Sequence, residues 1–488
     1  MRLLDVLIVG AGPAGLTLAC DLRRRGLDIR VIDQLSTPAR ASKGKGLQPR
    51  TLEVFDDLGI VEAVLASGRT YPPLRFYDGD TVLRDHSMMT IKEPTPDVPY
   101  PNTIMLPQWK TEDLLRARLE ELGGRVDYDA AFVALDQNDQ QVSATIATTG
   151  GQETVTARYL VAADGGRGKV RSAVGIRLEG DTPSLEGLLV ADVMVDRLDR
   201  NHWHFWAKSP TEMVSLCPLP VTDAFQFIGR VGPEEQPDLA LPTLQSFVDA
   251  RSGGARLVLR DPTWISLFRP NIRMADRFRA GRVFLIGDAA HIHPPTGGQG
   301  LNTSVQDAYN LGWKLESVLK GGDASLLDSY EEERLPIAAS VLGRSELLYR
   351  RGLSGDATAM RRGDDEQQLL LNYRGASRFG PPSPATSLQP GDRMPNARLR
   401  SASGSALDLF DLMRGPHGAV LEIDRSGRDP TGCPTGFDVH TIKIGSGKVA
   451  GRDQYSDVTG ALSDLWGHTV AVRPDGYIQV IERHPTDE

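Results

Sequence analysis

The spacing of apolar and polar residues changes along the chain. An apolar run at residues 7–9 leads into glycines and a helical pattern that continues to Arg25, and residues 1 to about 175 continue as strand and helix units. From about 180 to 275, short apolar runs such as 188–195 and 224–228 are separated by turns that contain proline, which is typical of an antiparallel sheet. The pattern therefore predicts an α/β unit followed by a mostly β unit.

In the second half of the chain, helical patterns come first, and a linker and strand-like pieces follow them. The strand-like segment 282–286 is followed by two helical patterns, one from about 304 to 319 and one, rich in Glu and Arg, from about 325 to 350. Residues 376–393 are dense in Gly, Pro and Ser, which predicts a linker. Strand-like pieces such as 419–423 then predict a small third unit.

Composition restricts the functions that the chain can have. With 40% hydrophobic and 24% charged residues, the 488-residue chain has the composition of a globular protein with two or three domains. The net charge of −9 argues against nucleic acid as a partner, because phosphate contacts need a basic surface. Cys20, Cys217 and Cys433 lie far apart, so we predict neither a disulfide framework nor a metal site. Without a signal peptide or a membrane-spanning run, the chain is predicted to be cytoplasmic and to have no membrane partner.

The N-terminal glycines have the spacing of a dinucleotide-binding turn. Gly10 permits a tight turn, Gly12 lets the backbone approach a pyrophosphate, and Gly15 lets helix and strand pack closely. The helix that follows offers unpaired N–H groups and its positive dipole end to the phosphates. A second strand ends at Asp33, where a carboxylate is needed to accept hydrogen bonds from a ribose diol. The predicted nucleotide-binding positions in this region are Gly10, Gly12, Pro13, Ala14, Gly15 and Asp33.

Two further motifs favour FAD over a nicotinamide as the bound nucleotide. Residues 159–171 form a strand pattern that ends in Asp164-Gly165 and a basic turn. Residues 281–302 form a second strand pattern, and Asp288 at its end can accept hydrogen bonds from ribityl hydroxyls. The glycine-rich run after it has few side chains, so its backbone can approach a flat isoalloxazine ring. That run also opens a helix whose positive end favours negative charge on reduced flavin.

With these motifs, over about residues 1–350, the chain resembles the class A flavoprotein monooxygenases, the aromatic-ring hydroxylases. Within them it is most similar to the bacterial branch that acts on polyketide antibiotics. The resemblance implies an α/β fold with a Rossmann-like FAD-binding domain at 1–175 and 276–375, an inserted, mostly antiparallel β substrate domain at 176–275, a linker at 376–393 and a C-terminal thioredoxin-like domain at 394–488. Cys433 has no partner nearby in sequence, which fits a redox-inactive copy of the last domain.

The resemblance also implies FAD contacts at positions that match the family's motifs. These are Lys43 at the ribose and pyrophosphate, Gln108 at the pyrophosphate and ribityl chain, Asp164 and Gly165 in a motif shared by flavin and NAD(P)H, Asp288 at the ribityl chain, Pro295 against the ring, and Gly298, Gly300, Leu301 and Asn302 along it. The chain departs from the family at Gly168, where Ser is usual. Asp33 replaces the commoner Glu and conserves the acceptor.

The reaction implied by the resemblance has three stages. NAD(P)H reduces non-covalent FAD, O2 adds at the flavin C4a carbon, and the hydroperoxide delivers one oxygen atom to an aromatic small molecule. The sequence carries one glycine-turn unit of the dinucleotide type, so NAD(P)H is expected to bind transiently as a co-substrate. No residue is singled out as catalytic. The pairs His291/His293 and His202/His204 have metal-like spacing but no clear third ligand, and we predict no metal.

Several alternatives stay open at this point. The same flavin chemistry supports Baeyer–Villiger insertion, epoxidation or inactivation of an antibiotic. Other classes are a flavin reductase that does not use oxygen and a non-enzymatic flavin-binding scaffold. The aromatic group Trp203, Phe205 and Trp206 lines a substrate pocket or belongs to the core of the β unit. The residues leave open the substrate, the choice between NADPH and NADH, and the oligomeric state.

Overall fold

The computed structural model describes residues 2–180, 187–209, 212–269, 272–294, 296–353, 362–424, 437–445 and 454–483. Its strands are, in chain order, β1 Leu3–Val9, β2 Ile29–Ile32, β3 Gly46–Leu47, β4 Arg69–Thr70, β5 Leu74–Asp78, β6 Thr81–His86, β7 Ile104–Met105, β8 Val126–Asp127, β9 Ala131–Gln137, β10 Val142–Thr148, β11 Gly151–Ala162, β12 Leu178–Glu179, β13 Gly187–Val195, β14 Trp203–Ala207, β15 Met213–Pro218, β16 Phe225–Val231, β17 Leu259–Phe268, β18 Arg273–Ala275, β19 Arg279–Ala280, β20 Val283–Leu285, β21 His291–Ile292, β22 Arg398–Ser401, β23 Ala406–Asp408, β24 Gly418–Asp424, β25 Val439–Gly445, β26 Gln454–Asp457, β27 His468–Val472 and β28 Ile478–Arg483.

The α-helices connect and cover these strands. They are α1 Pro13–Arg24, α2 Pro49–Asp57, α3 Val61–Ser67, α4 Gln108–Glu121, α5 Lys169–Ala173, α6 Leu241–Arg251, α7 Gly300–Leu319, α8 Asp328–Leu353 and α9 Leu409–Met413. Short 3₁₀ turns lie at Gly287–Ala289, Thr296–Gly298, Ala324–Leu327, Asp364–Gln367 and Ser463–Leu465. In the part of the chain that the structure describes, no helix combines the length and the apolar character needed to cross a membrane.

The first sheet has a parallel centre that brings the predicted motifs to one edge. β1 pairs in parallel with β2 and β11, and β11 pairs in parallel with β20. The four strands are mostly buried because α1 and α7 pack on the sheet, and buried parallel strands are apolar along their whole length. Their carboxyl ends lie side by side. In open α/β sheets this edge is the usual position of a ligand site.

The second sheet follows the order β17-β13-β16-β15-β14-β5-β6. Successive residues of a strand point to opposite faces, and one face carries the apolar residues Leu189, Ala191, Phe225 and Phe227, which pack against α6. The hairpin of β5 and β6 joins this sheet through a parallel pairing of β5 with β14. Sequence reasoning did not anticipate that pairing, because the hairpin lies far from the other strands along the chain.

The C-terminal sheet follows the order β23-β22-β26-β25-β24-β27-β28. Its centre has parallel pairings of β24 with β25 and of β25 with β26, and antiparallel pairings continue from β24 through β27 to β28. The predicted fold class, an α/β FAD-binding fold with an antiparallel sheet and a C-terminal unit, is confirmed. The domain boundaries at 175, 275, 375 and 393 stay a prediction. Cys433 lies outside the described residues.

Buried charges connect the C-terminal unit to the helices of the first. Arg473 donates to both carboxylate oxygens of Glu333 on α8, at 2.9 and 2.8 Å, and Lys314 of α7 lies 2.8 Å from the same carboxylate. All three side chains are buried. Burial raises the pKa of Glu333, but the charges of Arg473 and Lys314 outweigh it and hold that pKa below its usual range. The unit is therefore docked by paired charges that were not evident in the sequence.

Replacing Arg473 tests how much this contact contributes to stability. Arg473→Met removes the bidentate partner of a buried carboxylate, which should lower the free energy of unfolding by about 3 kcal/mol. The exposed Arg400 of the same unit provides the control, and Arg400→Met should change stability by less than about 0.5 kcal/mol. Urea denaturation followed by circular dichroism measures both. Equal midpoints for Arg473→Met and the unmodified protein would show that the contact is not stabilising.

Candidate functional site

The turn after β1 is shaped by contacts that only glycine allows. Gly10 has a φ of 107°, and a Cβ built on it would lie 2.3 Å from the carbonyl oxygen of Ala163. A Cβ on Gly15 would lie 2.0 Å from the carbonyl oxygen of Gly10. A Cβ on Gly12 would have no described neighbour within 4 Å, so this glycine faces open space at the start of α1. The helix begins at Pro13, which has no N–H to leave unpaired.

Asp33 is tied to this turn by hydrogen bonds. The N–H of Ala11 donates to one carboxylate oxygen at 2.9 Å, and the N–H of Leu35 donates to the other at 2.9 Å. A carboxylate has about four acceptor sites, so Asp33 keeps acceptor capacity for a ligand hydroxyl. The structure thus places the predicted ribose acceptor beside the predicted phosphate turn.

The N-termini of α1 and α7 meet at the end of β20. A Cβ built on Gly287 would lie 3.2 Å from the Cβ of Ala14 in the first turn of α1 and 2.8 Å from the hydroxyl of Ser304 near the start of α7. The first N–H groups of α7 have no acceptor within the helix. In the described part of the chain, the cap residue Gln299 gives them no side-chain hydrogen bond either. Two positive helix ends therefore face one cleft.

Asp288 lies between these helix ends. Its side chain is exposed to the cleft, yet protein surrounds it closely enough that burial raises its pKa. His291 and Lys43 oppose that rise through their positive charge. Lys43 is itself exposed and lies near enough to the carboxylate to act on it. This arrangement suits a ligand that offers hydroxyl groups to Asp288.

The loop at 43–48 forms the opposite wall of the cleft. A Cβ built on Gly44 would lie 3.2 Å from both the Leu301 side chain and the Gln108 side-chain oxygen, and that oxygen accepts the Gly44 N–H at 3.0 Å. Gly300, which starts α7, packs near His293. The bare backbone predicted near residue 300 therefore has Gly44 as its neighbour across the cleft.

The side chain of Asn302 is occupied by hydrogen bonds within the protein and does not point to a direct contact with a ligand. Its amide oxygen accepts the Gln48 N–H at 2.8 Å, and its amide nitrogen donates to the carbonyls of Gly46 and Gly298 at 2.8 and 2.6 Å. Gly298 is in the left-handed region, with φ 64°. The Asn302 side chain thus clamps the two walls together, and its backbone N–H is the group that remains for a ligand. Pro295 lies outside the described residues.

Asp164 follows β11 and explains the unusual glycine at 168. A Cβ at Gly168 would lie 2.1 Å from a carboxylate oxygen of Asp164, so a serine there would displace this side chain. The other oxygen accepts the Val170 N–H at 3.2 Å, and burial raises the pKa of Asp164. Gly165 has a φ of 79°, and a Cβ built on it would meet no atom within 4 Å among the described residues.

The geometry fits FAD, and the comparisons with known proteins agree. The diphosphate of a dinucleotide suits the bare start of α1, and a flat ring suits the glycines before α7. The model of a family described as FAD binding domain matches residues 3–345. The chain belongs to the class A FAD-dependent aromatic monooxygenases.

Relatives of this monooxygenase match it along nearly its whole length. A flavin-dependent monooxygenase from Mycobacteroides abscessus is 42% identical over 485 residues, which cover 98% of this chain and 97% of the relative. A rifampicin monooxygenase from Rhodococcus hoagii is 31% identical over 499 residues, which cover 97% of this chain and 94% of the relative. The crystal structure of aklavinone-11 hydroxylase with FAD and aklavinone has a TM-score of 0.82 at 26% identity, covering 99% of this chain and 96% of that one.

Sequence reasoning missed the buried network behind the cleft of this monooxygenase. His291 lies 2.6 Å from a carboxylate oxygen of Asp307, and Arg334 donates to the other oxygen at 2.8 Å. His293 bonds the second ring nitrogen of His291 at 2.9 Å, and burial lowers the pKa of His293 to about 3. Both ring nitrogens of His291 are engaged, which supports a structural role over a metal-binding one. The spacing of Asp307 and Arg334 gave no signal in the sequence.

Asp288→Ala tests the flavin site of the monooxygenase. Loss of the carboxylate removes a charged acceptor from the cleft, so the dissociation constant for FAD should rise about tenfold. Asp139→Ala, at an exposed turn, is the matched control and should keep full flavin content. FAD content is measured from the visible absorbance of purified protein, and the dissociation constant from quenching of flavin fluorescence. If Asp288→Ala binds FAD with wild-type affinity, Asp288 does not contribute to the flavin site.

Proposed function

We propose that the chain uses NAD(P)H and O2 to hydroxylate an aromatic, polyketide-like small molecule at a non-covalently bound FAD. The observation that carries this proposal is the convergence of the α1 and α7 N-termini at Gly287 and Asp288. When bound, FAD would supply the redox chemistry, with NAD(P)H as the reductant and O2 as the source of the oxygen atom. The protein supplies binding, orientation and exclusion of water.

The proposed FAD contacts are divided between the two helix ends. At the diphosphate and adenosine end they are Gly10, Gly12, Pro13, Ala14, Gly15, Asp33 and Lys43, and toward the flavin they are Gln108, Asp164, Gly165, Asp288, Pro295, Gly298, Gly300, Leu301 and Asn302. The free N–H groups at the start of α7 would stabilise negative charge on the N1–C2=O side of reduced flavin. Asp33 and Asp288 would accept hydrogen bonds from the hydroxyls of the ribose and the ribityl chain.

Three points support the substrate class and the transient binding of NAD(P)H. The aklavinone-11 hydroxylase structure pairs this fold with FAD and an aromatic polyketide. The second sheet contacts the loop at 42–45 through Gln226, so it can help to shield the reaction from water. The sequence has one dinucleotide-type glycine unit, which FAD would fill, so the nicotinamide would bind at the surface and leave.

A second candidate function is inactivation of an antibiotic by the same oxygen chemistry. The relative from Rhodococcus hoagii carries the name rifampicin monooxygenase and matches 97% of this chain. The flavin site of this chain is compatible with both functions, so the product of the reaction distinguishes them.

Oxidation of NADPH and NADH by the FAD-loaded enzyme, with and without multi-ring aromatic compounds, tests the proposed function. We expect an aromatic substrate to raise the rate at least tenfold, with oxygen uptake and a product heavier by one oxygen atom in mass spectrometry. Labelled O2 should place its label in the product. Substrate-independent oxidation with no oxygen uptake would favour a flavin reductase instead.

A further inference from the structure

The face of the second sheet turned away from α6 carries four neighbouring residues that we call the polar row: Asp192, Gln226, Trp264 and Cys217. Asp192 on β13 is paired directly with Gln226 on β16 and with Trp264 on β17, and Gln226 is paired with Cys217 on β15. Directly opposed residues of antiparallel strands share a face. Their chain neighbours Ala191, Phe225 and Leu216 belong to the apolar core on the other face. The side of the sheet that faces away from the apolar core is therefore polar, and such a surface is suited to bind a ligand.

Lys45 reaches this row from the loop at the FAD cleft. Its ammonium donates to the side-chain oxygen of Gln226 at 2.6 Å and lies 3.9 Å from the centre of the Trp203 ring on β14. Gln226 in turn donates to the backbone carbonyl of Ser42. The lysine is therefore held in place by a hydrogen bond and by a cation–π contact.

Most groups of the polar row are paired with one another, and Lys45 is the partly exposed cation beside it. Asp192 and Gln226 are 2% and 3% exposed, whereas Lys45 and Trp203 are only partly buried. Hydrogen bonds from the side chains of Ser42 and Trp264 stabilise the Asp192 carboxylate. Among the described residues, Nε1 of Trp203 makes no hydrogen bond, and an unsatisfied buried polar group costs about 1–3 kcal/mol. Lys45 and Trp203 are therefore the residues of this face that a ligand can contact.

The polar row is adjacent to the proposed flavin site. Gly44, the residue before Lys45, contacts Leu301 at the start of α7. The loop thus presents Gly44 to the flavin side of the cleft and Lys45 to the sheet. A flat molecule bound against Trp203 would lie between the sheet and the flavin.

We propose that Lys45 binds a phenolate or enolate oxygen of the substrate and thereby determines which aromatic compounds the enzyme accepts. This inference rests on the proposed function and specifies its substrate class. An ammonium has three donors; Gln226 takes one of them and Cys217 lies within hydrogen-bond reach of another, which leaves one for a ligand. Hydrogen bonds between charged groups in a dry site are the strongest available for such an oxygen.

Burial and nearby charges act in opposite directions on the Lys45 ammonium, and its pKa is lowered overall. Burial lowers the pKa of Lys45, and the nearby groups Cys217 and Asp192 oppose that fall. Burial raises the pKa of Asp192, and Ser42, Trp264 and Lys45 oppose that rise. Asp192 is a positioning residue in this account, because it acts on the ammonium rather than on the substrate oxygen.

A matched pair of ligands tests the inference by binding alone. The probes are 2-hydroxyanthraquinone and its methyl ether, 2-methoxyanthraquinone, titrated by calorimetry into FAD-loaded enzyme at neutral pH. The wild-type enzyme should bind the hydroxy compound about tenfold more tightly than the ether, and the bound ligand should show the red-shifted absorbance of its anion. Lys45→Met and Lys45→Gln should bind both compounds about equally.

The control is Lys208→Met, at the exposed end of the same sheet, which should keep the wild-type preference. If either Lys45 variant retains full FAD and still discriminates as the wild type does, the inference is overturned. Equal binding of the two ligands by the wild-type enzyme overturns it as well. If the wild-type enzyme binds neither compound, the proposed aromatic substrate class is wrong, and that result is distinct from a loss of discrimination.

Discussion

Three parallel strands end where two helices begin, and the positive ends of those helices favour a ligand with negative charge. β1, β11 and β20 deliver Gly10, Asp164 and Asp288 to one edge, and α1 and α7 start there. Glycine is needed at these turns because a Cβ on Gly10 or Gly15 would meet backbone oxygen at 2.3 or 2.0 Å. The glycines that close the turn place few side chains over the first backbone N–H groups of the helices, which suits the proposed binding of phosphate and flavin.

Local pattern was sufficient to predict much of the fold. The strand predicted at 188–195 is observed at Gly187–Val195, and the helix predicted from about 304 begins earlier, at Gly300. The β5–β6 hairpin was beyond prediction, since its pairing with β14 depends on contacts between segments distant in sequence. The docking of Arg473 against Glu333 depends on such distant contacts too.

Prediction of the candidate site was limited in the same way, because contacts between distant segments are not visible in a motif. Gly10, Gly12, Gly15, Asp33 and Asp288 lie where their motifs placed them, because each motif carries its own strand and turn. The side chain of Asn302 is occupied by internal hydrogen bonds, which a motif cannot reveal. Trp206 belongs to the apolar core while Trp203 faces Lys45, so the aromatic group predicted as one set is divided between the two faces of the sheet. Only the strand register decides such a division.

We expect one cleft to bind the diphosphate of FAD at α1 and its flavin ring at α7. Equilibrium titration of flavin-free protein with FAD, FMN and riboflavin tests it most directly, read from flavin fluorescence. FAD should bind at least a hundredfold more tightly than FMN, because its adenosine monophosphate half adds the contacts expected at Asp33 and the α1 N-terminus. Equal affinity for FAD and FMN, or a protein that stays colourless with FAD, would contradict it.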